Sequence, residues 1–485
     1  MKQMRKNARR VLFGMCLLFA MLIVYGVYYI TANSSRLLSA SKNTYAQEQR
    51  KNVLAGDLLD RNGVLLATTV ESAGEGSAAD EKNYVRAYHA DPRLRAAAVH
   101  ITGDRRGYVT KSMDRMLGAY LYGFNMTLWE RLGCIVSGTP RKGDNVHLTV
   151  DSRLVSYAAS LFPEGKAGAV VVMNYQTGEV LTEQSFPNFD PETTALADRA
   201  MKPEINRAID GLNAPGSTFK IVTAAAAMEN MADYATRAFH CDGVIELGER
   251  KITDAGTNLE ENRITRHGEL TLLRAFQVSC NNTFATVALN IGDQKLKKTA
   301  EDFGFNENFL FRDLIVENSS YPTENRTQGE IAWTGAGQSA LQVSPLHMCM
   351  IASAVANKGV MMEPRMLLKA VGQNGARRAE FSSKICRRAL PEERAAVLKE
   401  YMRAAVTGGT GTAAQIPGVK VCGKTGSAEL DSQENTNAWF VGFLDEAASP
   451  YALAVVVEDA GGGGSVAAPI ARQLFQWLLD NGYGK

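Results

Sequence analysis

The sequence predicts an α/β (α+β) protein: one sheet assembled from distant pieces of chain and covered by helices, a small N-terminal accessory domain and one transmembrane helix. Three observations predict it. Strand patterns occur at both ends of the segment 161–485, near Ala167–Ser185 and again at Val419–Val421, Trp439–Phe443 and Tyr451–Val457. Apolar helical stretches dominate between about 217 and 360. A run of 20 residues without a charge, Val11–Ile30, stands near the N-terminus. The expected division is a tail at 1–10, an anchor at 11–30, an accessory domain at 31–160 and the main domain at 161–485.

Length and composition agree. The chain has 485 residues, 45 % hydrophobic and 21 % charged, which excludes a disordered chain, a collagen and a small disulfide scaffold. The net charge of +2 averages two unlike parts. Lys2, Arg5, Lys6, Arg9 and Arg10 precede the apolar run without one acid, leaving the rest near neutral. No electrostatic footprint for nucleic acid follows.

A helix over Val11–Ile30 rises about 30 Å, enough for the hydrocarbon core. Its basic flank predicts a cytoplasmic N-terminus and an extracytoplasmic remainder. Tyr25, Tyr28 and Tyr29 suit the far interface. A cleaved signal peptide is the competing reading, but its apolar region is normally shorter and no A-x-A site follows Ile30. Residues 31–50 read as a polar stalk. Asp60-Arg61-Asn62-Gly63 makes a turn between strand-like flanks. Glu71 to Lys82 reads as a loop. In the main domain, Ala167–Ser185 is a hairpin with its turn at Asn174–Gly178. The chain closes with a helix that places Val466, Ile470, Leu474, Trp477 and Leu478 on one face.

Three short patterns can carry chemistry. In Ala214-Pro215-Gly216-Ser217-Thr218-Phe219-Lys220, turn formers precede the helix-forming run Ile221–Met228. Ser217 and Lys220, three apart, project on one face, and a neutral lysine can activate a serine. Alone, S-x-x-K is more simply an N-cap serine with a solvated lysine. Ser279-Cys280-Asn281 lies between two helical stretches, where a hydroxyl and an amide can enter a cleft; capping is the simpler use. Lys424-Thr425-Gly426, leading into Ser427, offers donors for an anion and close backbone approach for an extended substrate, one ending in a carboxylate.

A rival reads the last segment differently. Gly418 to Thr425 fits G-x-x-x-x-G-K-[ST], and Leu453–Asp459 resembles a strand ending in a metal-binding acid. Against a P-loop, Thr407–Pro417 is no strand, Gly426 interrupts the required helix, and the anchor puts the segment outside the cytoplasm. Gly408-Gly409-Thr410-Gly411-Thr412 reads as a flexible connection, and Gly461–Gly464 as a mobile loop. The six histidines show no metal-ligand spacing, and His240 beside Cys241 is incidental. Among seven cysteines, Cys16 lies in the span, and no CxxC pair signals zinc or a disulfide framework. Free buried thiols are expected.

S-x-x-K, S-x-N and K-T-G in this order resemble the penicillin-binding proteins and serine β-lactamases. The resemblance extends to GDLLDRNGVLLA, GAVVVMNYQTGEVL, NRAIDGLNAPGSTFK, HGELTLLRAFQVSCNNTF, TGAGQSALQVSPLHM and GKTGSAELDSQENTNAWFVGF, covering roughly 50–70 and 165–480. The chain is similar to the short class B subgroup, single-pass D,D-transpeptidases with a reduced N-terminal domain. Asn437 departs from it, where many relatives have His, and receives no role.

The resemblance implies a transpeptidase domain with a central antiparallel sheet that cross-links peptidoglycan stem peptides during wall synthesis for cell shape or division. It implies Ser217 as nucleophile, Lys220 as its base, Ser279 as proton relay and Asn281 as a holder of the donor peptide and Lys220. Lys424 and Thr425 would bind the terminal carboxylate, in a strand with Gly426 and Ser427; the backbone N–H groups of Ser217 and Ser427 would form the oxyanion hole. Which residue is the acylation base is disputed in the family. Penicillin and other β-lactams would acylate the same serine. No cofactor and no metal are implied. The implied partners are stem peptides, the bacterial membrane and a SEDS-type glycosyltransferase, with no nucleic acid. A D,D-carboxypeptidase or β-lactamase, and a membrane-anchored scaffold or β-lactam sensor, are the alternatives.

Overall fold

The computed structural model describes residues 2–32, 53–72, 83–193, 195–196, 199–248, 250–322, 326–429 and 436–482. The stalk expected at 31–50, past Ala32, and most of the loop expected at 71–82 lie outside the described residues. The N-terminal helix runs Lys2–Ala32. Its segment Arg5–Gly26, with mean hydropathy 1.8 and no residue buried, is long and apolar enough to cross a membrane.

The sheet expected from distant pieces of chain is present. Its strands are β1 (Gly168–Asn174), β2 (Val180–Phe186), β3 (Val421–Glu429), β4 (Thr436–Leu444) and β5 (Tyr451–Val457). They lie in the order β3-β4-β5-β1-β2, every pair antiparallel. Near-continuous Val, Ala and Phe runs form these strands because both faces are covered. Ala169, Val171, Ala454, Val456, Trp439 and Val441 pack into one core, with Phe219, Ile221 and Leu346. Val170, Val172, Leu453, Val455, Ala438 and Phe440 pack into the other, against Ile470, Leu474 and Leu478 of the closing helix Ala467–Asp480. The period-two alternation of β structure sorts the two sets.

The K-T-G segment differs from expectation in its boundaries. Val419 and Lys420 precede the strand, which begins at Val421 and carries Lys424 in its middle. No helix starts there, so the P-loop geometry is absent from this segment. The region expected to be mainly helical also holds short strands: Phe239–Cys241 pairs with Gly268–Leu270, and Val244–Leu247 with Arg250–Thr253. Each is only three or four residues long, too short for an alternation to mark it in the sequence.

The accessory region forms a six-stranded sheet from Leu58–Leu59, Leu65–Ser72, Asn83–Tyr88 and Asn145–Leu148, completed by Leu367–Val371 and Arg377–Glu380. A cut at 160/161 follows chain order, not sheet membership. The Asp60 turn joins the two parts. Its carboxylate accepts from Asn62 N and Val64 N at 2.8 Å each, and from Ser152 N at 3.1 Å at the head of the helix Ser152–Leu161.

Candidate active site

Pro215 and Gly216 turn the chain into a 3-10 segment, Gly216–Phe219, which continues as the α-helix Lys220–Asn230. Gly216 has φ +55°, and a Cβ there would lie 2.9 Å from the Ser427 carbonyl. Glycine is required both for the backbone and for the approach of the serine turn to the K-T-G strand. The β4 strand holds the same turn from below. Trp439 Nε1 donates to the Ala214 carbonyl at 3.1 Å, and Asn437 Nδ2 to Asn213 Oδ1 at 3.0 Å. Asn437 also accepts from the Asp459 N–H at 3.1 Å, so it ties together two loops beside the cleft.

The three patterns converge on Lys220, which is fully buried. Its Nζ lies 2.9 Å from Ser217 Oγ, 2.8 Å from the Ser279 carbonyl, 3.2 Å from Ser279 Oγ and 2.6 Å from Asn281 Oδ1. Ser279 follows the helix Leu272–Val278 in left-handed backbone at φ 61°, and Asn281 opens the helix Asn281–Ile291. Asn281 Nδ2 is spent on the Thr253 carbonyl at 2.8 Å, which aims Oδ1 at the lysine. Lys424, also fully buried, donates to Ser279 Oγ at 2.8 Å and to the Thr425 carbonyl at 2.9 Å. Two lysine side chains thus meet at one hydroxyl.

Burial decides their protonation. It pushes Lys220 down to about 8, against the opposing charge of Asp254. The Lys220 Nζ lies 5.6 Å from the centre of the Phe284 ring, and Lys424 Nζ 5.8 Å from that of Phe276. Lys424 is held well below the ordinary lysine value by burial first and by the charge of Lys220 second.

Thr425 and Ser427 line a cleft of about 560 Å³ together with Ser217, Ser279 and Asn281, and Gly426 stands between them on β3. Thr425 Oγ1 lies 2.5 Å from Thr410 Oγ1. Ser427 is exposed, its Oγ accepting from the Gly463 N–H at 3.3 Å and its carbonyl from Gln338 Nε2 at 3.2 Å. All eight residues singled out in the sequence are therefore brought together.

Thr410, Gln338 and Asp254 also line this cleft: Thr410 belongs to the stretch read as a flexible connection, and Gln338 and Asp254 stand in no short pattern that marks them. The two glycine-rich stretches are corrected. Gly408–Thr412, read as a flexible connection, packs so that a Cβ on Gly409 would lie 2.1 Å from the Gln277 carbonyl. In Gly461–Gly464, read as a mobile loop, Gly462, Gly463 and Gly464 line the cleft. A Cβ on Gly463 would stand 2.2 Å from the Trp439 carbonyl and 2.3 Å from that of Gly426. Only glycine lets this loop lie on the β3–β4 ladder.

The seven cysteines are free, and Cys241, Cys280, Cys349 and Cys422 are buried as expected. His240 points outward to Glu269 and Asp242. His267, by contrast, joins Cys241, Asp254 and Cys280 behind the Ser279–Asn281 loop.

Comparison with known proteins gives a family. Residues 168–476 match the penicillin-binding protein transpeptidase domain. The chain is 29 % identical over 466 residues to the peptidoglycan D,D-transpeptidase PbpA of Mycolicibacterium smegmatis, covering 90 % of each. It is 29 % identical over 357 residues to the stage V sporulation protein D of Bacillus subtilis, covering 70 % of this chain and 54 % of that one. In three dimensions it is similar to the imipenem acyl-enzyme of penicillin-binding protein A from M. tuberculosis. There the TM-score is 0.76 at 27 % identity, over 89 % of this chain and all of that one.

Proposed function

Since the chain belongs to the penicillin-binding-protein transpeptidase family, we propose that it is a peptidoglycan D,D-transpeptidase working through a serine acyl-enzyme. One observation carries the assignment of roles: a fully buried Lys220 whose Nζ lies 2.9 Å from the hydroxyl of Ser217. With its pKa brought down to about 8, a useful fraction is neutral near physiological pH and able to take a proton.

Ser217 Oγ attacks the carbonyl of the penultimate D-Ala of a stem peptide and passes its proton to Lys220. The developing oxyanion faces the backbone N–H groups of Ser217 and Ser427. Ser279, in reach of both lysines, relays a proton to the departing amine of the terminal D-Ala. Lys424 and Thr425 hold that residue's carboxylate, and Asn281 orients Lys220. The amine of a second stem peptide then attacks the acyl-enzyme, with Lys220 accepting its proton, and Ser217 is released. A β-lactam enters the same sequence and stops at the acyl-enzyme.

The helix Lys2–Ala32 anchors the protein, with its basic end in the cytoplasm and the catalytic part outside. Glycan strands come from a separate membrane partner, a SEDS-type glycosyltransferase.

Fluorescent penicillin tests the reading directly. A stable label on the wild type, absent from a folded Ser217→Ala variant, supports it, as does transfer of the donor peptide to an added amine. A label that decays rapidly, with hydrolysis and no transfer, would reassign the protein as a hydrolase. Persistent labelling of Ser217→Ala would refute the nucleophile.

A further inference from the structure

The helix Leu128–Ser137 of the accessory region carries its apolar side outward. Trp129, Leu132, Ile135 and Val136 recur at helical spacing and form one stripe. Their exposures are 81 %, 40 %, 76 % and 87 %. Trp129, Ile135 and Val136 are the most exposed large apolar side chains among the described residues, those of the anchor helix included. The polar side of the helix holds the body instead. Glu130 closes a capping box with Thr127 and pairs with Arg378 of the accessory sheet. Arg131 Nη2 donates to the Phe124 carbonyl at 2.6 Å. A surface helix of a globular protein turns its apolar stripe to the core, so this stripe is turned toward something outside.

The place of the helix says what that is. It ends at Gly138, and four residues later Lys142 bridges to Leu54. Leu54 N donates to the Arg141 carbonyl at 2.9 Å, and Gly143 N to the Leu54 carbonyl at 2.8 Å. Residues 33–52 separate Val53 from the end of the N-terminal helix at Ala32, a stretch that reaches at most about 70 Å. The stripe therefore stands where the chain coming from the anchor enters the folded part. Between Thr127 and Gly143 the chain carries Arg131, Arg141 and Lys142 against one acid, Glu130, which Arg378 already neutralises.

We infer, on the anchoring proposed above, that Leu128–Ser137 is an interfacial helix that sinks Trp129, Leu132, Ile135 and Val136 into the outer leaflet beside the anchor. A tryptophan, three aliphatic side chains and basic neighbours fit the boundary between headgroups and acyl chains of a bilayer with anionic lipid. A protein partner fits less well. A stable interface takes about 20–30 residues a side, whereas a leaflet receives a narrow stripe without matching its shape. Insertion next to the anchor is intramolecular, so the tether supplies a high effective concentration and a modest intrinsic affinity suffices. The contact gives the accessory region a second foothold on the membrane and limits how it turns about the anchor.

The experiment uses the full-length chain in vesicles of phosphatidylcholine and phosphatidylglycerol, with and without bromine on the acyl chains, and reads tryptophan emission. Bromine there quenches indoles that reach the acyl region. The tryptophans are Trp129, Trp333, Trp439 and Trp477, and Trp129→Phe isolates the share of the first. Wild-type emission should fall in the brominated vesicles, and that of Trp129→Phe should not. Val136→Glu puts a charge in the stripe and should cut the quenching severalfold. Both side chains are exposed, so both variants should keep the wild-type midpoint of urea unfolding. Equal emission in the two kinds of vesicle, from wild type that floats with the lipid, would overturn the contact. So would equal quenching of wild type and Trp129→Phe. Trp129 shielded from aqueous iodide without bromine quenching would give the stripe to a second copy of the chain, and overturns the contact equally. A chain that does not float with the vesicles would remove the anchor as well, so the two failures are told apart.

Discussion

Asn281→Ala should shift the pH profile of acylation toward acid while lowering its plateau. Asn281 Oδ1 sits 2.6 Å from Lys220 Nζ and can only accept, so it favours the ammonium form. Removing a hydrogen bond to a charged group costs about 1.5–3 kcal/mol. At about 1.4 kcal/mol per pH unit, the loss displaces Lys220 downward by about 1–2 units from its value of about 8. The base is active when neutral, so the acidic limb of the rate follows it down. With a pKa of about 8, about a tenth of Lys220 is neutral at pH 7, roughly 300 times the fraction at the ordinary value of 10.5.

The assay is the rate of penicillin acylation, followed by stopped flow from about pH 5.5 to 10, the range set by a base of pKa near 8. The plateau falls because Lys220 loses an orienting contact, by about tenfold or more for a misplaced catalytic group. Asn281→Asp supplies the opposite sign. A carboxylate beside the amine stabilises the ammonium and moves the acidic limb to higher pH. An unmoved limb in the alanine variant, or the same direction of shift in both, would refute Lys220 as the titrating base.

Thr425→Val keeps shape but removes the hydroxyl that meets Thr410, and should weaken capture of the substrate carboxylate by about 1.5–3 kcal/mol. The loss should appear in the binding constant for penicillin more than in the saturated acylation rate. Gly463→Ala forces a Cβ to 2.2 Å from the Trp439 carbonyl, and the overpacking should cost about 1–3 kcal/mol in urea unfolding and slow acylation. An unchanged variant would show that the loop does not rest on the β3–β4 ladder. Glu183 is buried in β2 and pushed up from 4.5 to about 8 by burial. Its contribution is fully present below about pH 4.5 and is lost as pH rises through about 8, by a few kcal/mol at most. Glu183→Gln should remove that decline, and parallel pH–stability curves for both proteins would contradict it.

What the sequence revealed and what it hid follow one physical line. Local periodicity exposed β1, β5 and the closing helix, because their Val-rich or 3.6-spaced residues face cores on fixed sides. Turn chemistry exposed the Asp60 turn and the approach to Ser217. Pairing between remote segments left no local trace. Nothing in Leu367–Val371 says that it joins Asn145–Leu148. Gly463 reads as loop flexibility, yet the glycine is demanded by carbonyls of Trp439 and Gly426, which only the folded ladder brings near. Ser217, Lys220 and Lys424 were legible through the order of the three short patterns and the family resemblance it carries, since each pattern alone has a simpler capping or solvated use.

The meeting of Lys220 and Lys424 at Ser279 Oγ has a mechanistic consequence. Like charges at this range oppose each other, and Lys220 is one cause that lowers Lys424. A substrate carboxylate arriving beside Thr425 favours charge on Lys424. Charge on Lys424 disfavours charge on Lys220, and so raises the neutral fraction of the base. Carboxylate capture thereby readies the nucleophile, beyond simply holding the substrate. The test compares a penicillin with its methyl ester, using the acylation rate at saturation, whose pH limb reports the bound complex. The ester lacks the negative charge, so its acidic limb should lie at higher pH than that of the free acid. Coincident limbs would separate carboxylate binding from the protonation of Lys220 and leave Lys424 with a binding role alone.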